Sequence, residues 1–218
     1  MADFAKILED IGALWRWDTQ HAGANGPHAI LTSGAHSDGF INISELGTHP
    51  SVLSAACEDL AQILKNRFDL DPFNLDWVVG SAMGGIVVAH EMAKELNARC
   101  AFTEKTPNGD MELSRFSIPS GSNILIPEDV STTGGTSIKT AAVLKALGCN
   151  VVPIIATLVS RIEEDEIIGP DNTIFRIAYL TKLIFKKWEV QKGEECKLCK
   201  LGSEALKPKA HWDKFAAR

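Results

Sequence analysis

Apolar residues recur along the chain in two rhythms, one typical of amphipathic helices and the other of buried strands. Residues 4–17 place apolar side chains three and four positions apart, which predicts one helix, and similar spacing predicts a second helix over residues 50–67. Short apolar runs at residues 29–32 and 39–43 predict two strands joined by a turn over residues 33–38.

The middle of the chain repeats a unit of strand, loop and helix. Apolar strands are predicted at residues 76–79 and 123–127, and each is followed by a glycine-rich segment that opens a helix. Residues 104–120 are polar and predict a mobile loop or a hairpin. Further strands are predicted at residues 99–103, 151–159 and 173–185. Such apolar strands are typical of a parallel sheet covered on both faces, so the predicted fold class is α/β.

The segment after residue 127 has the residues of a phosphate-binding loop. Thr132 to Ser137 combine hydroxyls with two glycines at the start of a predicted helix, so backbone N–H groups and the helix dipole can surround an anion. Glu128 and Asp129 come just before, and their carboxylates can accept hydrogen bonds from sugar hydroxyls or hold a hard cation through water. The complete string favours a ribose 5-phosphate site over an ordinary capped turn.

A second glycine-rich loop, Gly80–Gly85, follows the strand predicted at residues 76–79. Its three glycines let backbone N–H groups approach a second anion closely, although a tight packing turn explains the loop alone equally well. Because ligands of parallel sheets bind at the carboxyl ends of the strands, we expect the two loops to be neighbours. The second loop is then a candidate pyrophosphate site formed by Ser81, Ala82, Met83, Gly84 and Gly85.

The composition argues against nucleic acids and membranes as binding partners. The chain has 218 residues, 45% of them hydrophobic, and a formal net charge of −6 without a long basic run. Binding to nucleic acid or to a membrane surface usually needs a basic patch, so we predict neither. The first 17 residues lack the pattern of a signal peptide, and no apolar run is long enough to span a bilayer. We therefore expect a cytoplasmic protein.

The five cysteines have scattered positions and do not predict a disulfide framework. Cys196 and Cys199 form a CxxC pair that could be half of a zinc site, for which His211 is the nearby candidate for a third ligand. Because a structural zinc ion needs four ligands and a fourth is missing nearby, a reduced turn in the tail is the preferred interpretation.

Together these residues resemble the type I phosphoribosyltransferases, and most closely the members that use orotate. The segment Glu128–Thr136 is similar to the signature with which that family binds 5-phosphoribosyl-1-pyrophosphate (PRPP). Val78–Ile86 resembles the family's pyrophosphate loop, and His28–Asn42 resembles an amino-terminal segment of the orotate enzymes. The resemblance covers most of the chain.

This resemblance implies a single phosphoribosyltransferase domain over residues 1–218. Its fold would be a Rossmann-like parallel sheet flanked by helices, with a small amino-terminal hood. The hood would comprise residues 1–45, the core residues 46–185 and the carboxyl-terminal tail residues 186–218.

The resemblance also implies how PRPP is bound. Glu128 and Asp129 would hold the ribose hydroxyls, and the loop from Ser81 to Gly85 would bind the pyrophosphate. The 5-phosphate would be bound by Ser131, Thr132, Thr133, Gly134, Gly135 and Thr136. Lys105 would reach the pyrophosphate from a mobile loop and act in catalysis together with the two acids, and Arg115 would be a second cation of that loop.

For the base, the resemblance implies three contacts. Phe40 would stack on the ring, Thr132 would lie beside it, and Arg161 would pair with a carboxylate as a bidentate fork. The implied reaction transfers the ribose 5-phosphate group of PRPP to orotate and yields orotidine 5′-phosphate and pyrophosphate, a step of pyrimidine nucleotide synthesis. The implied cofactor is Mg²⁺, held mainly by PRPP and by Asp129 through water, and the implied assembly is a homodimer.

Two alternatives stay open on the sequence alone. One is a phosphoribosyltransferase for a purine or another base. The other is a non-catalytic regulator that binds PRPP, which the small number of cations in residues 104–116 favours.

Overall fold

The computed structural model describes residues 3–17, 26–71 and 74–216, and the chain forms two compact units. One unit, the core unit, is Gly47–Leu183. The other unit is built from the parts of the chain that precede and follow the core unit, so the predicted hood and the predicted tail belong to one unit. From here on, the word hood means this whole unit. Both ends of the described chain thus contribute to the hood.

A seven-stranded sheet with the order β10-β11-β9-β8-β5-β6-β7 forms the centre of the core unit. Its strands are β5 (Trp77–Ser81), β6 (Arg99–Lys105), β7 (Met111–Glu112), β8 (Asn123–Ser131), β9 (Asn150–Ser160), β10 (Glu166–Ile168) and β11 (Ile174–Lys182). The five inner strands are parallel, and the edge strands β7 and β10 are antiparallel to their neighbours. The predicted α/β class and parallel sheet are confirmed.

Three long helices pack on this sheet: α3 (Pro50–Arg67), α4 (Gly84–Glu95) and α5 (Gly135–Ala146). Strand β5 is buried at every position, and the apolar side chains of β8 and β9 form much of the hydrophobic core. A strand enclosed on both faces gains from apolar residues at every position, which is why these strands lack the polar alternation of a half-exposed sheet.

The hood contains two small sheets. The first pairs β1 (Leu14–Arg16) with β4 (Gly39–Ile41), and the second has the order β12-β3-β2-β13. The strands of the second sheet are β2 (His28–Ile30), β3 (His36–Ser37), β12 (Lys187–Trp188) and β13 (Ala205–Leu206). The short helices are α1 (Phe4–Asp10), α2 (Ser44–Gly47), which ends at the boundary with the core unit, α6 (Lys197–Lys200) and α7 (Trp212–Ala216), with 3-10 turns at Val190–Lys192 and Pro208–Ala210.

The predicted helix over residues 4–17 is wrong beyond Asp10. The Asp3 carboxylate caps the helix by accepting hydrogen bonds from the first turn, but Gly12 has a φ of +70° and turns the chain. Leu14–Arg16 then pairs as a strand with Gly39–Ile41. The helix and the strand after it both bury apolar side chains. The apolar spacing therefore looks helical across the turn that separates them.

The strands predicted at residues 29–32 and 39–43 are present as β2 and β4, but they lie in different sheets, and the predicted turn between them contains a further strand, β3. β2 pairs instead with β3 through a tight turn, in which the Leu31 N–H donates to the Ala35 carbonyl. Residues 173–185 contain one strand, β11, which ends at Lys182. The acidic run that ends at Glu166 leads into β10, which the sequence did not predict. Among the described residues, no helix is both long enough and apolar enough to cross a membrane.

Candidate active site

Strand β8 is longer than predicted and includes both acids. β8 continues to Ser131 because its pairing with β9 extends to the register Ser131↔Ser160, so Glu128 and Asp129 are strand residues rather than the start of the loop. Successive side chains of a strand point to opposite faces. Glu128 is accordingly buried, whereas Asp129 is partly exposed.

The phosphate-binding loop predicted after this strand has an open backbone. In the described part of the chain, no hydrogen bond engages the backbone N–H groups of Thr132, Thr133 or Gly134. Gly134 has a φ of +70° and caps α5, which begins at Gly135. The side chains of Thr132, Thr133 and Thr136 are exposed, so hydroxyls, amides and the positive end of a helix converge on one small cavity.

Glu128 is held beneath this loop by two hydroxyls. The Ser81 Oγ donates to Glu128 Oε1 at 2.8 Å, and the Ser137 Oγ donates to the same oxygen at 3.1 Å. Burial raises the pKa of the Glu128 carboxyl to about 7, the neighbouring Asp129 charge adds to the rise, and the two hydrogen bonds oppose it. Glu128 therefore changes charge near neutral pH.

A chain of buried hydroxyls continues below Glu128. Ser81 Oγ lies 3.1 Å from Thr140 Oγ1, which lies 2.9 Å from Thr103 Oγ1. All of these residues are buried, so each hydroxyl needs a partner inside the protein. The chain links β5, β6 and α5 to the acid on β8. Thr103 and Thr140 were not predicted as part of the site, because a threonine within a strand or a helix carries no local signal of this contact.

The second loop, Gly80–Gly85, lies directly against the two acids. A Cβ atom built on Gly84 would overlap Asp129 Oδ2, and one built on Gly80 would overlap the Gly85 carbonyl. The peptide bond between Ala82 and Met83 is cis, and the Met83 side chain is 82% exposed. The two loops are thus neighbours, as expected from the strand order.

Lys105, the predicted catalytic lysine, ends β6 and is exposed on a hairpin. It pairs with Met111 across the hairpin, and the turn between them is closed by the Thr106 N–H donating to the Asp110 carbonyl at 2.8 Å. Lys139 of α5 donates to the Gly109 carbonyl at 2.7 Å. The sequence allowed either a mobile loop or a hairpin, and the structure has the hairpin.

Arg115, the other cation predicted for this loop, has a partner on β6. Its Nε and Nη2 donate to the two carboxylate oxygens of Glu104 at 2.6 and 3.0 Å. The guanidinium holds the pKa of the Glu104 carboxyl below its usual value. Arg115 is thus one side of an exposed bidentate ion pair.

The predicted base-binding residues lie in both units. Arg161 follows β9 directly, and its backbone N–H donates to the Ser131 carbonyl at 2.7 Å, which fixes it beside the strand that carries the two acids. Phe40 belongs to β4 of the hood, where its ring centroid lies 5.8 Å from that of Trp212.

Most residues of the candidate site lie in a region that matches a known protein family. The sequence family described as the phosphoribosyl transferase domain matches residues 42–191, which include both loops and both acids. The chain belongs to this family. The resemblance to the type I phosphoribosyltransferases is therefore confirmed, together with the transferase class.

Two curated relatives match over most of their length. The protein named orotate phosphoribosyltransferase of Desulforamulus reducens is 37% identical over 182 residues, which cover 83% of this chain and 87% of the relative. The protein of the same name from Thermotoga maritima is 32% identical over 93% of this chain and 95% of its own. The crystal structure of orotate phosphoribosyltransferase from Aeropyrum pernix superposes with a TM-score of 0.63 at 24% identity, over 83% of this chain and 93% of that one.

Proposed function

We propose that this phosphoribosyltransferase transfers the ribose 5-phosphate group of PRPP to orotate, giving orotidine 5′-phosphate and pyrophosphate in pyrimidine nucleotide synthesis. The observation that carries the proposal is the row of open amides at Thr132–Gly134 next to the carboxylates of Glu128 and Asp129. The names of the relatives that match more than four fifths of the chain support orotate as the base.

In this proposal each part of PRPP meets a chemically matched group. The amides of Thr132–Gly134 and the start of α5 bind the 5-phosphate, which gains from both hydrogen bonds and the helix dipole. Glu128 and Asp129 accept hydrogen bonds from the vicinal ribose hydroxyls. The loop Ser81–Gly85 lies against Asp129 and binds the pyrophosphate through its backbone.

Magnesium is the cofactor that the donor set fits. The site presents carboxylate and hydroxyl oxygens, which Mg²⁺ prefers. Asp129, the partly exposed carboxylate, would hold the ion through water while PRPP supplies the other oxygens. When bound, the ion neutralises negative charge that develops on the leaving pyrophosphate.

The chain's own groups then act by position and charge. Breaking the bond between C1 and pyrophosphate builds positive charge on the ribose ring, which the nearby carboxylates of Glu128 and Asp129 stabilise. Lys105 counters the negative charge on the pyrophosphate from the hairpin. The hairpin closes over the reacting atoms and excludes water, which would otherwise hydrolyse the activated sugar.

Orotate recognition rests on its carboxylate and its flat ring. Arg161 offers a guanidinium that can pair with the carboxylate through two parallel hydrogen bonds. Phe40 stacks on the ring and Thr132 lies beside it. A homodimer, which the family resemblance implies, and a cytoplasmic location, which was expected from the sequence, complete the proposal.

The decisive experiment assays the chain with PRPP, magnesium and orotate, uracil, adenine or hypoxanthine in turn. We expect turnover with orotate and not with the other three bases. Asp129→Asn should lower kcat/KM for orotate at least about 100-fold, because it removes a charge that stabilises the transition state. Asp59→Asn on α3 is the matched control and should leave activity unchanged. Full activity of Asp129→Asn, or preference for a purine, would overturn the proposal.

The engagement of Arg115 by Glu104 ties up a cation that the family resemblance places in catalysis. If Glu104 restrains a catalytic cation, Glu104→Gln should raise kcat in the same assay.

A further inference from the structure

Four side chains with metal-binding atoms converge in the hood, far from the two glycine loops in the sequence. They are His28 on β2, His36 on β3, Cys196 at the start of α6 and Cys199 within it, and one ligand atom of each lies within 4.8 Å of those of the others. The CxxC pair of the tail therefore meets two histidines of the amino-terminal segment. His211, the candidate from the sequence, is not part of this cluster.

The separations resemble the edges of a small tetrahedron. Cys196 Sγ and Cys199 Sγ lie 3.6 and 3.5 Å from His28 Nε2, and Cys199 Sγ lies 3.3 Å from His36 Nδ1. Zinc bonds of about 2.3 Å to sulfur and about 2.0 Å to nitrogen give tetrahedral edges of roughly 3.3 to 3.8 Å. His28 Nε2 and His36 Nδ1 are closer, at 2.8 Å, so this edge would open by about half an ångström on metal binding.

A neighbouring serine sets the tautomer of His28. The Ser203 hydroxyl donates to the Gly26 carbonyl, so Ser203 Oγ accepts the hydrogen of His28 Nδ1 at 2.9 Å. The lone pair of His28 then lies on Nε2, which faces the other three groups. Metal-bound histidines characteristically donate their second ring N–H to such a partner, which holds the ring in place.

Hydrogen bonds within the cluster cannot satisfy all four side chains at once. The single lone pair of His28 Nε2 faces Cys196 Sγ, Cys199 Sγ and His36 Nδ1 at once, and it can accept from one of them. His28 and Cys196 are buried, whereas His36 is half-buried and Cys199 is exposed, so the burial shields two of the four groups from water. A cation at the centre would bond to all four atoms, and two thiolates would balance the charge of a divalent ion.

The surroundings support a closed site. Cys196 packs with Trp188, Leu198 and Trp17 in a small apolar cluster, which shields the sulfur from solvent. β12 and β13, which flank α6 in the sequence, already pair with β3 and β2. A metal bonded to α6 would thus fasten the segment between these strands to the β2–β3 hairpin, across more than 160 intervening residues.

We propose that His28, His36, Cys196 and Cys199 bind one Zn²⁺ ion as a structural site that joins the amino-terminal hairpin of the hood to the carboxyl-terminal tail. Two thiolates and two imidazoles suit zinc, a borderline-soft ion without redox chemistry, and four protein ligands leave no open position for catalysis. Binding releases the two thiol protons to solvent. The proposal does not depend on which base the enzyme uses.

The test measures metal in the full chain, expressed in zinc-supplemented medium and purified reduced, without a metal-affinity tag. Inductively coupled plasma mass spectrometry should find about one zinc ion per chain. The double variant Cys196→Ser/Cys199→Ser should contain at least about tenfold less. Cys100→Ser, a partly buried cysteine on β6, and His211→Ala are matched controls and should keep the ion.

A second measurement needs no ligand variant, so misfolding cannot obscure it. Co²⁺ replacing the ion in the wild-type chain should give the intense visible bands of tetrahedral cobalt and a sulfur-to-metal charge-transfer band. Ser203→Ala should weaken zinc affinity about tenfold, because His28 loses its orienting partner. A wild-type chain without zinc or these bands, or one whose mass shows a Cys196–Cys199 disulfide after reduced purification, would overturn the proposal.

Discussion

The loops Gly80–Gly85 and Thr132–Thr136 both follow a buried parallel strand and both lead into a helix, yet they use glycine differently. In the first loop, glycine allows close approach: Gly80 contacts the Gly85 carbonyl, and Gly84 contacts the Asp129 carboxylate. In the second loop, Gly134 turns the chain with a positive φ and leaves its own amide and those before it open.

This difference separates two tasks of one site. The second loop presents hydrogen-bond donors, which is what a phosphate needs. The first loop also brings its backbone against the carboxylates, which fixes where the acids lie. Its glycines thus position the acids in addition to the pyrophosphate binding proposed for this loop. Substitutions that add a single methyl group can distinguish the two tasks.

Gly84→Ala should have the largest effect, and on activity rather than stability. The added Cβ would displace the tip of the flexible Asp129 side chain, so the fold accommodates it while the acid moves. Misplacing a positioned group by about 1 Å can cost about 100-fold in rate, and we expect kcat/KM to fall by about that factor. The measurement is steady-state kinetics together with urea unfolding.

Gly80→Ala is the contrasting variant of the same loop. Its Cβ meets the Gly85 carbonyl, which belongs to the backbone and cannot rotate away. It should therefore lower the free energy of unfolding by about 2 kcal/mol. If Gly84→Ala destabilised the chain as much as Gly80→Ala, the distinct role of Gly84 in placing Asp129 would be disproved.

The next effect is a pH dependence of about tenfold. Because burial raises the Glu128 pKa to about 7, the carboxylate is mostly protonated at pH 6, and the affinity for PRPP should be about tenfold weaker there than above pH 8. Calorimetry of PRPP binding with magnesium across this range measures it. In Glu128→Gln the affinity should change only through the titration of PRPP itself.

The stability of the unliganded protein should change with pH in the opposite direction to its affinity for PRPP. The unfolded carboxyl ionises near its ordinary value of 4.5, whereas the folded one ionises near 7, so the folded chain holds the extra proton between these values. The unliganded protein should therefore lose stability as pH rises from about 4.5 to 7, and Glu128→Gln should remove this loss. Urea unfolding that rises with pH over this window would contradict the raised pKa.

Gly134→Ala should have the smallest effect of the set. Alanine at a φ of +70° costs about 1 kcal/mol of unfolding free energy, and its Cβ would also displace the tip of the Ile167 side chain. Gly135→Ala is the matched control, since that residue begins α5 and its added Cβ would meet only Thr133 Oγ1 at 3.4 Å. Thermal unfolding of both variants decides the matter, and equal losses would show that the positive φ is not what requires glycine.

The core sheet could be predicted from the sequence because its signals are local. Strands such as β5 and β9 are apolar over their buried lengths, and a glycine-rich turn marks the start of α4 and of α5. The hood could not be predicted in this way. Its strands have two or three residues, too few for a period, and they pair with partners such as β13 and β2 at opposite ends of the chain.

The same limit applies to the candidate site. Glu128, Asp129 and the two glycine loops were predicted because each group is contiguous in the sequence. The hydroxyls of Thr103 and Thr140 were missed because they reach Glu128 only through Ser81, from other elements. The two histidines beside the CxxC pair were missed for the same reason, since contacts over long sequence separations leave no mark on local patterns.

The pairing of β13 with β2 places a constraint on the order of events during synthesis. His28 pairs with Ala205, so the hood sheet cannot be completed until residue 206 has left the ribosome, whereas every strand of the core unit is already available. The nascent amino-terminal hairpin must therefore wait with an unpaired edge, which is an aggregation hazard. A stop codon before Ala205 would leave that edge permanently open.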